Sequence, residues 1–147
     1  MILNYIAQFF NNYWFGVLIL PLVLWLTAYQ LKNRKSWLLL WGTFILMQIV
    51  VWTMKFAIDS QRPIGNHALD NPSFPSGVAA DAGFFATYLS IVYPKYWIVW
   101  QSLGIIIATL RIYIGAHYVG DVVVGYVLGV VIFLLAHRIF KIKNLSH

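Results

Sequence analysis

The chain contains no cysteine and no glutamate. The first absence excludes disulfides, thiolate metal sites and a cysteine nucleophile, and it leaves the redox compartment open. Charge of either sign is scarce. Only 10% of the 147 residues are charged, against about a quarter in an ordinary soluble domain. Four aspartates stand against ten lysines and arginines, a net charge of +6. That balance fits nucleic acid or anionic lipid. In a chain this apolar it is read as membrane topology, without a nucleic-acid partner. No internal repeat and no low-complexity segment interrupts the sequence. The N-terminus, MILNYIAQFFNNYWF, has no basic leader and no obvious small-residue cleavage site, so a cleaved signal peptide is not expected.

What the chain has in excess is apolar surface: 61% of its residues are hydrophobic and 18% aromatic. Lipid must cover that surface. The expected architecture is one integral membrane domain over residues 1–147, an all-α helical bundle with five transmembrane helices. Five apolar stretches carry this reading: 14–31, 37–58, 78–93, 97–113 and 119–140. A spanning helix needs about 20 residues, and four stretches satisfy that. The stretch 78–93 gives only about 24 Å of helix, so it should tilt little or borrow a turn from Ser76. Ahead of them Ile2, Ile6, Phe9 and Phe10 recur at helical spacing and suggest an N-terminal interfacial helix. Trp14, Trp37, Trp97 and Trp100 lie near stretch ends, as interface anchors do. Pro21 is expected to kink the first helix. Residues 59–75, DSQRPIGNHALDNPSFP, hold three of the five prolines and form the longest polar stretch, a loop.

Lys and Arg collect in cytoplasmic loops. With five spans, Lys32, Arg34, Lys35, Lys95, Arg138, Lys141 and Lys143 share one side, which makes the C-terminus cytoplasmic. Lys55, Arg62 and Arg111 fall at the opposite face and defy the bias. That face also holds the polar loop, His117 and Asp121. Three cations converging at a membrane edge make an anion site, with phosphate the obvious guest. Ser76 and Gly77 add backbone N–H groups at a helix N-terminus, where the dipole also favours an anion. His117 and Asp121, four apart, can share one helix face, and an imidazole held by a carboxylate makes a nucleophile or base. Singly, each residue has a plainer reading. Lys55 would be a snorkelling anchor, Arg111 a helix-end charge, His117 a satisfied polar residue and Asp121 an N-cap.

Order and spacing join them. KFAIDSQRP, from Lys55 to Pro63, fits K-x6-R-P. PSGV, from Pro75 to Val78, fits P-S-G-H except at its last position. LRIYIGAHYVGD, from Leu110 to Asp121, fits S-R-x5-H-x3-D except at its first. The pattern resembles the type 2 phosphatidic acid phosphatase (PAP2) superfamily, in its membrane lipid phosphatase branch, and covers nearly half the chain. The resemblance implies that Lys55, Arg62 and Arg111 hold phosphate oxygens, with hydrogen bonds from Ser76 and the Gly77 amide. His117 would attack phosphorus to give a phosphohistidine, and Asp121 would orient it. No metal ion and no cofactor would be needed, because the cations do the charge work. The substrate would be a membrane lipid phosphate or diphosphate, met at the extracytoplasmic face of a plasma (inner) membrane. The family's membrane phosphatases usually have six spans. One N-terminal span fewer here leaves open how the lipid tail is sheltered and whether the chain forms a homodimer.

Val78 stands where the family has the histidine that protonates the leaving group. General acid catalysis contributes about 10²–10⁴-fold. Three explanations stay open. The leaving group needs no acid if it is a phosphate ester, as in a polyprenyl diphosphate. Another acid stands in: Asp81, three residues on and on nearly the same helix face, or more weakly His67 in the loop. Asp81 is equally a counter-ion for Lys55 or Arg111. Or the site is impaired, and the protein binds phospholipid without turning it over.

Overall fold

The computed structural model describes residues 34–63 and 71–140. They form four α-helices: α1 (Arg34–Ile58), α2 (Gly77–Val92), α3 (Trp97–Tyr113) and α4 (Val119–Phe140). A 3-10 turn, Pro94–Tyr96, leads into α3. No strand occurs among the described residues. The expected span 14–31 with its Pro21 kink, the N-terminal interfacial helix and His67 all lie outside the described residues. Four of the expected stretches appear as helices, and α1 includes residues 34–36 ahead of its apolar run.

Helices α1, α4 and α3 with its leading turn are long and apolar enough to cross a membrane. Helix α2 has 16 residues, about 24 Å. It borrows no turn from Ser76. That residue has extended backbone (φ −71°, ψ 112°) and acts as the N-cap, its side chain accepting from the Ala79 N–H. The cap stops the helix there, because it meets one of the N–H groups that a further turn would have bonded. A short helix is tolerated here because α2 is the central element, packed against both α3 and α4. Irregular backbone at membrane depth is acceptable where protein covers it.

Small residues make that central packing close. Ala79, Ala80, Ala82, Gly83 and Ala86 are buried on α2. On α4, Gly125 and Gly129 form a G-x-x-x-G step against them. A Cβ on Gly129 would run into the Ala80 carbonyl oxygen, and one on Gly125 into the Ser76 carbonyl oxygen. Close backbone approach of this kind drives helix association in lipid, where no hydrophobic force acts between helices. It also seats the start of α2 directly on α4, which matters for the site below. Helix α1 closes the bundle with aromatic contacts. Phe44 meets Phe84 edge-on at 5.5 Å, and Phe84 meets Phe133 at 5.1 Å. The outward faces stay apolar, with Leu38, Ile45, Ile49, Ile98, Ile105, Val127 and Leu134 exposed.

Alternating helix directions bring the C-termini of α1 and α3 to the same end as the N-termini of α2 and α4. The described ends of the polar loop, 59–63 and 71–75, and every phosphate-site candidate named above collect at that end.

Candidate active site

Helix α1 ends at Ile58, and Asp59 turns the chain with φ 45°, a left-handed conformation that Asp tolerates better than most residues. The loop that follows is stitched at its base. Ser60 O accepts from Ser73 N–H at 2.8 Å, and Ser60 Oγ from Phe74 N–H at 2.8 Å. Lys55, in the last turn of α1, donates to the carbonyls of Pro72 (2.6 Å) and Ser73 (3.3 Å). Two of its three protons are thereby engaged.

Arg62 spans the mouth of the site. Its Nε donates to Asn71 O (2.9 Å), and its Nη2 to Asn71 Oδ1 (2.6 Å). Nη1 donates to Ala116 O at 2.8 Å and lies 3.4 Å from His117 Nε2. Burial lowers the Arg62 pKa, and the Asp121 carboxylate opposes that shift. Arg111 is buried in the last turn of α3. Its carbonyl accepts from the N–H groups of Ala116 (3.1 Å) and His117 (3.3 Å), which fixes the backbone carrying the imidazole.

His117 and Asp121 do not share a helix face. His117 lies in the turn between α3 and α4, beyond Gly115 at φ +67°. Helix α4 starts at Val119, so Asp121 occupies its third position. There the carboxylate reaches back to the Tyr118 N–H at 3.0 Å, which is half of a capping box. The pair meets because a turn folds His117 over the first turn of α4. His117 Nδ1 and Asp121 Oδ2 are 3.6 Å apart. The Asp121 carbonyl also accepts from the Ser76 N–H at 3.0 Å, tying α4 to the start of α2.

Ser76 therefore has its N–H committed to Asp121, and its hydroxyl accepts within the cap at 3.4 Å. Among the described residues the N–H groups of Gly77 and Val78 have no partner. These open donors of the first turn are the ones an anion can take. Val78 sits in that turn, partly buried, and offers no proton. Asp81, one turn deeper, accepts from Gln48 Nε2 at 2.6 Å. Its carboxylate is directed to α1 at the level of Gln48, seven residues and about 10 Å of helix below Lys55.

Spacing missed Ser73, which is completely buried. Its Oγ lies 3.3 Å from His117 Nδ1 and donates to Asp121 Oδ2. It missed Asn71 and Ser60 as well. Their only sequence signal is position: Ser60 lies inside the K-x6-R-P element, and Asn71 and Ser73 just precede P-S-G in the polar loop.

Lys55, Arg111, His117 and Asp121 are all buried, at 3–6% exposure. With Arg62 this is three cations against one carboxylate. His117 feels the excess: its pKa is lowered to about 4, by burial first and then by Arg62, Arg111 and Lys55, with Asp121 opposing. The imidazole is thus neutral at physiological pH, with Nε2 facing the Arg62 guanidinium. Such an arrangement can bind a doubly charged anion and attack it.

Comparison with known proteins bears on the family and the fold. A family model described as the PAP2 superfamily matches residues 36–145. A lipid A 1-phosphatase from Rhizobium etli is 31% identical over 74 residues, which is 50% of this chain and 32% of that protein. A lipid A 1-phosphatase from Rhizobium johnstonii is 29% identical over 85 residues, 58% of this chain and 34% of that one. The chain spans about a third of the length of these curated relatives. Among solved structures, the PAP2-type phosphatidylglycerolphosphate phosphatase of Bacillus subtilis superposes with a TM-score of 0.74 at 24% identity. The match covers 95% of this chain and 75% of that one. At that identity the likeness speaks for the fold.

Proposed function

The chain belongs to the PAP2 superfamily, and on that premise we propose that it is a membrane lipid phosphatase that works through a phosphohistidine. One observation carries the reading: buried Lys55 and Arg111, with Arg62, surround a neutral His117 and leave an excess of positive charge. Like charges held close together in a buried site repel one another. A phosphate dianion among them relieves that repulsion on binding, and Arg and Lys are the side chains that hold its oxygens best.

In the proposed reaction the phosphate oxygens lie against Lys55, Arg62, Arg111 and the Gly77 N–H. His117 Nε2 bonds to phosphorus, and the bond from phosphorus to the leaving oxygen breaks, its electron pair going with that oxygen. The ring carries a positive charge until water adds to phosphorus, the Nε2–P bond breaks with its electron pair returning to Nε2, and the product leaves as phosphate carrying the water's proton or passing it to solvent. Asp121 stabilises the charged ring. The steps need no metal ion, since fixed cations meet the charge on the equatorial oxygens. The site faces the extracytoplasmic side and takes the headgroup from the membrane plane.

Val78 bears on the substrate. An alkoxide leaving group has a conjugate acid with pKa on the order of 16, like water. A phosphate ester leaving group has one of about 6. The second departs without an acid, which favours a lipid diphosphate such as a polyprenyl diphosphate. Lipid monophosphates, including the lipid A 1-phosphate and phosphatidylglycerolphosphate that name the relatives, are the competing class. Asp81 is a weaker substitute acid than its spacing suggested, because its carboxylate takes the Gln48 amide. Phosphoryl transfer to a second lipid, and binding without turnover, are the remaining readings.

The test offers labelled polyprenyl diphosphate and labelled phosphatidic acid to the protein in detergent, with His117→Ala as blank. Release from the diphosphate is expected, and Val78→His should raise monophosphate hydrolysis far more than diphosphate hydrolysis. Equal gains would remove the leaving-group argument. Label on an acceptor lipid would mean a transferase. No reaction above the blank with any lipid would leave binding as the function.

A further inference from the structure

A third side chain, Ser73, contacts both His117 and Asp121. At 3.6 Å, Nδ1 and Oδ2 are too far apart for a good N–H···O bond. Ser73 Oγ lies beside the pair and contacts both, 3.3 Å from Nδ1 and donating to Oδ2. A hydroxyl has one proton to give. Since Asp121 receives it, Ser73 can only accept from His117, and Nδ1 must carry hydrogen. The other side of the ring agrees. Arg62 Nη1 faces Nε2 at 3.4 Å, and a guanidinium only donates, so Nε2 presents its lone pair.

Ser73 is held for this task from every side. Its N–H donates to Ser60 O at 2.8 Å, and its carbonyl accepts from Lys55 Nζ at 3.3 Å. Its side chain is fully buried. The residue thus joins the phosphate-side cation to the nucleophile and its carboxylate.

We propose that Ser73 is a positioning residue whose hydroxyl relays Asp121 to His117, fixes the Nδ1–H tautomer and thereby selects Nε2 as the attacking atom. The proposal deepens the phosphatase reading and rests on it for its kinetic consequence. No proton moves along the relay during attack. The Nε2–P bond forms, the leaving oxygen takes the electron pair of its own bond, and the positive ring is held through Nδ1–H···Oγ–H···Oδ2.

The experiment uses full-length protein labelled with [15N]histidine, the His117 resonances being identified by their loss in His117→Ala. The ring nitrogen shifts report the tautomer directly. The wild type should show Nδ1–H, Ser73→Ala should lose that preference, and Ser73→Thr should regain it. A Ser73→Ala protein that keeps the Nδ1–H tautomer overturns the proposal. Kinetics on the same proteins should show kcat lowered about 10²-fold in Ser73→Ala with KM little changed. The double variant Ser73→Ala, Asp121→Asn should lose no more than Asp121→Asn alone, as members of one relay are not additive. Fully additive losses would also overturn it. The NMR arm needs no turnover. If no lipid is hydrolysed by the wild type but the tautomer follows Ser73, the phosphatase reading fails and the relay stands.

Discussion

At the end of the bundle where α2 and α4 begin, Lys55, Arg111, His117 and Asp121 are buried. At the opposite end Arg34, Lys35, Lys95 and Arg138 are exposed. The interior on that side is aromatic, with Trp41 and Phe44 packed edge-on at 5.4 Å and Tyr88 against Phe133 at 6.0 Å. The same residue types are thus treated in two ways within one small bundle. Exposed cations are solvated and cost nothing special. Buried ones repel one another and favour a counter-charge, and among the described residues Asp121 is the buried carboxylate beside Lys55, Arg62 and Arg111. The contrast is what the proposed phosphate site rests on.

The contrast can be broken most sharply at the histidines. His117→Ala should lower phosphate release by about 10⁴-fold or more, as loss of a nucleophile does. His137, stacked on Phe133 at 6.1 Å at the other end, should tolerate replacement by Phe with turnover within about twofold. Steady-state phosphate release on both variants decides this. Next come the cations. Arg111→Gln should cost about 10²–10³-fold in kcat/KM, the scale of losing one preorganised donor to developing charge. Arg138→Gln at the exposed end should leave kcat/KM essentially unchanged. Comparable losses would erase the distinction between the two ends.

A smaller effect tests the packing that holds the site. Gly129→Ala forces a Cβ into the Ala80 backbone, whereas Gly42→Ala on α1 meets open space. The first should lower unfolding stability by about 1–3 kcal/mol and the second change it by less than about 0.5 kcal/mol, as read from unfolding in detergent.

The smallest concerns protons. The folded-state pKa of His117 is depressed from 6.5 to about 4, so the folded protein binds fewer protons than the unfolded chain between those values. This histidine's contribution to stability is therefore present above pH 6.5 and lost as pH falls toward 4. Because three of the lowering influences are cations, inorganic phosphate bound among them should raise the pKa. An NMR titration of His117 with and without phosphate checks the direction.

The helices were legible because apolar stretches of spanning length and interface tryptophans encode them locally. The stretches 97–113 and 119–140 appear with those bounds as α3 and α4. The residues of the site were legible as motifs, but their contacts were not. An i, i+4 spacing suggested that His117 and Asp121 share a helix, yet the turn at Gly115 ends α3 first, and helix α4 begins only after His117. Ser73 meets partners 44 and 48 residues away, and no periodicity records such a contact. Asp81 lies three residues from Val78, but its orientation depends on Gln48, 33 residues earlier on another helix. Local patterns specify elements, while hydrogen bonds between elements depend on how the elements pack.

The central claim is that His117 Nε2 attacks phosphorus at a site made by buried cations. Its most direct test is a single-turnover experiment with a lipid substrate labelled in the transferred phosphate, quenched in alkali, where phosphohistidine survives. The account predicts label transiently bound to the protein at His117, released by acid and absent from His117→Ala. Phosphate release by His117→Ala at the wild-type rate, with no protein-bound label in either protein, would contradict it.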